Sequence, residues 1–237
     1  MSTTRKSHKK PVKKTLSNNS IQIIAAVILV LILVVVSVIV IRNNQKAAEV
    51  EALPTANAVE QTAEPAQVRK SYKEAPAMSI DLNKKYTATV KMAKGGEFTI
   101  ELYPQKAPIT VNSFVFLARE KYFDGTTFHR VLEGFMAQGG DPTGTGGGGP
   151  GYKFVNEDSD LIFDKPGVVA MANAGRDTNG SQFFITFAPT LQLNGGYTIF
   201  GQVVSGMDVV NGITRRDPNL FPDFEGDMIE SITIAEE

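Results

Sequence analysis

Arg130 is the most chemically loaded side chain in the stretch Phe128 to Pro142, FHRVLEGFMAQGGDP. Apolar Phe135 and Met136 and the amide Gln138 follow it closely, and no nucleophile, acid/base pair or metal-ligand cluster accompanies them. A second stretch, Met171 to Thr186 (MANAGRDTNGSQFFIT), has the same mixture of amides and aromatics. Together the two supply a cationic fork, amides at Gln138, Asn173 and Gln182, and an apolar floor from Phe135, Met136 and Phe184. Such a set works by shape and electrostatics on a substrate in which no bond is made or broken. Rotation about a peptide bond to proline fits that description, because its barrier of about 18–20 kcal/mol comes from amide resonance alone.

Other residues that could carry chemistry have plainer readings. The glycine run Gly144 to Gly149 lacks the Lys-Ser/Thr of a phosphate loop and has no βαβ setting, so it reads as a tight loop. Asp141 has no second carboxylate at useful spacing and reads as a turn former or an arginine partner. His129 has no Ser or Asp constellation that would support triad chemistry, and reads as structural. Asn179-Gly180-Ser181 matches a glycosylation sequon and equally reads as a tight turn. There is no cysteine, which excludes disulfides, thiol catalysis and Cys-based zinc sites.

The elements that must position these residues form a β-rich segment, 79–237. Tyr86–Met92 alternates in polarity, and Lys94-Gly95-Gly96 signals a hairpin into Glu97–Tyr103. Pro108 opens a helix running to about Glu120, with Phe114, Leu117 and Ala118 on one face. Short apolar runs follow at Phe128–Leu132, Phe135–Gln138, Val168–Met171, Phe183–Phe187, Thr198–Val204 and Met228–Ile234, with a second helix at Met207–Ile213. Many short strands with turn punctuation predict a closed barrel or a sandwich.

The rest of the chain reads differently. The net charge is −1, yet residues 1–20 carry six basic side chains and no acid, leaving −7 on the remainder. Ile21 to Ile41 is apolar except for Gln22 and Ser37, and as a helix would reach roughly 31 Å, matching a hydrocarbon core of about 30 Å. A cleaved signal peptide is the rival reading. The run is long for one, and the nearest A-x-A pattern, Ala56 to Ala58, lies far downstream. The basic excess before the span puts the N-terminus in the cytoplasm and the C-terminal bulk outside. Residues 42–78 are rich in Ala and Glu with spaced prolines, the composition of a flexible tether; a short coiled or amphipathic helix is the other reading there. The basic tail could meet nucleic acid, but its place beside the span favours lipid.

The stretches FHRV…GFM.QGGD and MAN.G..TNGSQFFIT closely resemble those of the cyclophilin family of peptidyl-prolyl cis/trans isomerases. The resemblance covers residues 79–237 in order, including Thr190–Gly201, and does not reach the anchor or linker. It implies a mainly β fold, a closed eight-stranded antiparallel barrel capped by two α-helices, here preceded by one transmembrane helix and a linker. It also implies isomerisation of Xaa-Pro bonds with no cofactor or metal. Arg130 matches the family's catalytic arginine. Phe135, Met136, Phe184 and Leu193 match the proline pocket; Gln138, Ala172, Asn173, Ala174 and Gln182 match the peptide groove, with Gly144 near the adjoining pocket. Gln192 stands where many members have tryptophan, which implies weakened cyclosporin binding. Tyr197 stands where many have histidine, keeping an aromatic wall, and Glu133 replaces a frequent proline.

With the anchor, these features describe a membrane-anchored bacterial form. It would be single-pass in the cell membrane, with an extracytoplasmic domain acting on proline-containing segments of unfolded or exported proteins. The expected partners are those segments and, through residues 21–41, membrane lipid, with no nucleic acid. The alternative is a module at the membrane that binds or scaffolds proline peptides without turnover.

Overall fold

The computed structural model describes residues 70–221 and 223–237. The expected basic tail, the 21–41 span and most of the 42–78 linker lie outside the described residues. Among the described residues no helix is long and apolar enough to cross a membrane.

Eight strands form one curled antiparallel sheet. They are β1 (Tyr86–Met92), β2 (Glu97–Leu102), β3 (Arg130–Leu132), β4 (Met136–Gly139), β5 (Val168–Met171), β6 (Phe183–Thr186), β7 (Ile199–Ser205) and β8 (Ile229–Glu236). Their order across the sheet is β3-β4-β6-β5-β7-β2-β1-β8. The edge strands β3 and β8 do not pair along their length. The seam between them is stitched by irregular backbone: the Phe128 N–H donates to the Asp227 carbonyl (2.9 Å) and the Ile229 N–H to the Thr126 carbonyl (2.8 Å). Helix α1 (Pro108–Arg119) and the short α2 (Met207–Asn211) complete the fold.

The predicted hairpin is present between β1 and β2, where Gly95 and Gly96 take φ of 97° and 85°, a conformation that suits glycine. Pro108 starts α1 as expected, but Ala107 before it offers no capping side chain. The Glu157 carboxylate, distant in sequence, accepts the Ile109 and Thr110 N–H groups instead, at 2.8 Å each. This satisfies donors that every helix start leaves open and ties the 155–165 segment to α1. Phe114 projects from α1 into the interior, 5.6 Å from Phe183 and 5.2 Å from Phe200.

The interior of the curled sheet is one apolar cluster that includes Val90, Phe98, Ile100, Phe128, Phe183 and Phe200. A second cluster lies on the other face of β4, β5 and β6 and is built from Met136, Phe163, Val168, Ala170, Phe184 and Ile199. Leu161, Leu193 and Tyr197 pack against it. Residues 70–78 depart from the expected linker. Tyr72 donates its N–H to the Pro150 carbonyl (2.8 Å) and sets its ring 5.0 Å from Phe116. The Asn112 amide then donates to the Pro76 and Ala77 carbonyls. One aromatic anchors this run, although its average composition is that of a tether.

Candidate active site

The register of three short strands builds the site. Arg130 on β3 lies opposite Gln138 on β4, and Gln138 lies opposite Phe184 on β6. These residues form one row across the outer face, with Met136 in the next. The β3–β4 turn closes through Gly134 at φ 66° and a Phe135 N–H to Leu132 carbonyl bond of 3.1 Å. That turn sets Phe135 just beyond Met136, where its carbonyl accepts the Phe187 N–H at 2.9 Å. A cavity of about 190 Å³ results, lined by Arg130, Phe135, Met136, Gln138 and Phe184 on these strands. Ala172, Asn173, Leu193 and Tyr197 complete its wall.

The floor is apolar and firmly backed. Phe184 stacks on Phe163 with ring centroids 5.8 Å apart, and Tyr197 meets it edge-on at 5.4 Å. Arg130 sits half-buried at the rim, its Nη1 4.0 Å from the Met136 sulfur. Arg119, Arg176 and Arg215 are paired with the carboxylates of Glu236, Asp158 and Glu133. Arg130 has no carboxylate partner among the described residues.

A larger cavity of about 760 Å³ adjoins this one and shares Gln138, Ala172 and Asn173 with it. Its other walls include Ala174, Gln182 and the stretch from Gly146 to Gly151. An amide relay holds the boundary. Gln138 donates to the Gln182 oxygen at 2.9 Å, and Gln182 donates to the Gly146 and Gly148 carbonyls, each at 2.9 Å. The Asn173 amide donates to the Gly196 carbonyl (3.1 Å), pinning the loop that carries Leu193 and Tyr197.

Asp141 organises the glycine run from below. Only 1% exposed, it accepts hydrogen bonds from the Thr143 N–H and hydroxyl and from the Gly146 and Gly148 N–H groups. Burial alone would push its carboxyl up; these donors outweigh burial and hold it below the ordinary value. The turn-forming reading of Asp141 therefore holds, and among the described residues no arginine pairs with it. Gly144 falls outside both cavities. Its N–H closes the turn on the Asp141 carbonyl, and it faces Thr127, whose hydroxyl oxygen a side chain there would meet at 3.6 Å.

His129 is buried, and among the described residues neither ring nitrogen has a partner in hydrogen-bond geometry, although the nearby Thr127 backbone favours the charged form. Desolvation dominates and lowers its pKa. Asn179 is fully buried, and its amide donates to the Val155 carbonyl and the Asn156 side chain, so the sequon is a structural turn. Among the described residues no group of three or more His, Cys, Asp or Glu could hold a metal ion.

Eleven of the twelve residues expected at the site thus line one cavity or the other, Gly144 being the exception. Sequence reasoning passed over Pro150, Tyr152 and Ser181, which line the larger cavity. Tyr152 carried no signal, because the Ser113 hydroxyl it meets lies far away in sequence. The organising role of Asp141 did carry one, since Asp followed two residues on by Thr is an Asx-turn pattern.

The family model for the cyclophilin type peptidyl-prolyl cis-trans isomerases matches residues 87–235. Peptidyl-prolyl cis-trans isomerase A of Mycobacterium tuberculosis is 48% identical over 169 residues, 63% of this chain and 92% of that protein. Peptidyl-prolyl cis-trans isomerase B of Streptomyces anulatus is 46% identical over 167 residues, 62% of this chain and 95% of that protein. A crystal structure of a cyclophilin type peptidyl-prolyl cis-trans isomerase from Cryptosporidium parvum superposes with a TM-score of 0.60 at 34% identity. It covers 65% of this chain and 99% of that one. With this match across the whole curled sheet and its cavities, the chain belongs to the cyclophilin-type peptidyl-prolyl cis-trans isomerases and catalyses rotation about Xaa-Pro bonds.

Proposed function

We propose that this isomerase acts from a membrane tether on proline-containing segments of exported polypeptides, with Arg130 as its catalytic cation. The observation that carries the catalytic assignment is an arginine with no carboxylate partner among the described residues, at the rim of a cavity of about 190 Å³ with an aromatic floor and room for a prolyl ring. Phe135, Met136, Phe184, Leu193 and Tyr197 grip the ring. Gln138, Gln182 and the 172–174 backbone hold the flanking peptide.

When the C–N bond twists, resonance is lost and the prolyl nitrogen becomes pyramidal and regains a lone pair. A guanidinium beside it donates a hydrogen bond that exists only in the twisted state, which is the differential binding catalysis requires. A charge-assisted hydrogen bond contributes about 1.5–3 kcal/mol, and each 1.36 kcal/mol is roughly tenfold in rate. This one contact therefore supplies about 10- to 100-fold, and the rest comes from ring and backbone positioning. The deciding experiment is isomerisation of a proline test peptide by Arg130→Ala. Turnover is expected to fall by about 100-fold with the melting temperature unchanged. Wild-type turnover in the folded variant would sink the assignment.

The membrane reading rests on the apolar run 21–41 and the basic residues before it, and suits folding assistance outside the cytoplasmic membrane. Added protease should digest the domain on intact cells; protection of the domain overturns the orientation. Gln192 is exposed and offers no aromatic plane at its own position, so Gln192→Trp is expected to tighten cyclosporin binding measured by calorimetry. Unchanged affinity would dissociate that position from the drug.

A further inference from the structure

We propose that Arg216 is the positioning residue that holds Arg130 in register for the reaction. The proposal rests on the reading of Arg130 as the catalytic cation. Arg130 lies on β3, an edge strand of three residues whose ladder has β4 on one side only. An edge of that length is free to shift unless something covers its open side. Arg216 covers it. Its backbone exchanges both hydrogen bonds with Val131, N–H to carbonyl at 2.7 Å and 2.8 Å. Its guanidinium donates to the carbonyl of His129. The bonds of one residue therefore bracket Arg130, on the residue before and the residue after.

The second half of the clamp reaches away from the site. The Arg216 Nε–H donates to the Phe224 carbonyl, tying β3 to the 217–227 loop. That loop also approaches the segment leading into β3 at Gly226, where a side chain would clash with the Phe128 carbonyl oxygen and where φ is 99°.

The chemistry of Arg216 is unusual for a plain strand tie. Its residue is 6% exposed, yet the partners of its guanidinium among the described residues are carbonyls, with no carboxylate. A buried cation compensated by dipoles alone is costly, and a shorter neutral side chain could close an edge at less cost. What the guanidinium adds is a rigid, planar pair of donors that fixes two backbone carbonyls at a set separation, one of them adjacent to Arg130. The lowered basicity of His129, to which the charges of Arg216 and Arg130 both contribute after burial, agrees with this cluster.

The test is kinetic. In the full-length chain, Arg216→Met is expected to lower kcat on the order of tenfold, as a small misplacement of a catalytic group does, with KM within about twofold. Arg216→Lys, which reaches only one of the two carbonyls, is expected to lose less, about threefold, and is the gentler change for folding. In the Arg130→Ala background, Arg216→Met is expected to alter the residual rate by less than about twofold, because the two act as one unit. Wild-type kcat in either folded Arg216 variant overturns the positioning role, as does a full independent loss in the Arg130→Ala background. If Arg130→Ala itself keeps wild-type turnover, the catalytic reading and the positioning role fall together. If it loses turnover while the Arg216 variants do not, the positioning role falls alone.

Discussion

The two halves of the sheet bury themselves differently. In β1, Tyr86, Ala88, Val90 and Met92 are buried while the residues between them are partly or fully exposed. The half made of β5 and β6 is buried at every position. An antiparallel sheet needs only one covered face, so the second layer over β4–β6 has another reason. There the outer face carries Met136 and Phe184, and Phe163 from the 155–165 segment packs beneath them. The loss of alternation marks the half that holds the cavity: one half folds the chain, and the other folds it and presents a surface to substrate.

Matched substitutions break or sharpen that contrast. Phe98 and Phe184 are both buried phenylalanines, on opposite halves. Replacing either with Ala should cost about 3–5 kcal/mol of stability, as large-to-small core changes do. Denaturant unfolding would read both. Assayed at a temperature where each is folded, Phe98→Ala should keep its kcat/KM, whereas Phe184→Ala should lose more than tenfold. Equal activities in the two variants would erase the distinction.

Asp141 offers the next largest effect. It lies under the glycine run, where walls are made of backbone and a single carboxylate replaces an apolar layer as the organiser. Asp141→Ala strands the donors of Thr143, Gly146 and Gly148 and should cost about 1–3 kcal/mol. KM for peptides that extend across the larger cavity should rise, with kcat for a minimal prolyl peptide unchanged. An equal rise in KM for both lengths would mean the loop acts on the whole groove.

The Glu157 contact belongs to the folding half. Glu157→Ala removes the remote cap of α1 and should lower stability by about 1 kcal/mol, read by thermal unfolding, without altering turnover. A drop in turnover would show that the 155–165 segment transmits the loss to Phe163 and the cavity floor.

Local signals carried much of this fold. The Lys94-Gly95-Gly96 hairpin, the Pro108 start of α1 and the Val168–Met171 strand are set by φ preferences or by unbroken apolar runs. Phe128 and His129 misled as strand residues: they are buried at the seam by packing and irregular bonds, while β3 starts at Arg130. β8 runs on to Glu236, past the last apolar residues, because Tyr86 of β1 pairs with it there. Of the cavity, the side chains on strands were legible because their motifs are contiguous. Glu157, Tyr152 and Arg216 were not, since each acts on a residue tens of positions away. Tyr72 was lost within a polar, proline-spaced run.

The smallest effect is the most selective probe of the seam between the two halves. His129 is 2% exposed, and its pKa lies below the ordinary 6.5, first because of burial, with Arg216 and Arg130 adding to it against the pull of Asp141. The unfolded chain takes up this proton as pH falls through about 6.5, while the folded chain resists it. Stability is therefore complete above that pH and declines below it, with a slope of at most about 1.4 kcal/mol per pH unit for one proton. Asp141, held below 3.8, contributes its own acid loss only at lower pH. Unfolding free energies measured from pH 7 down to about 5 should show a slope in the wild type that His129→Gln flattens. The same slope in both proteins would place the titrating group elsewhere and leave the seam insensitive to His129.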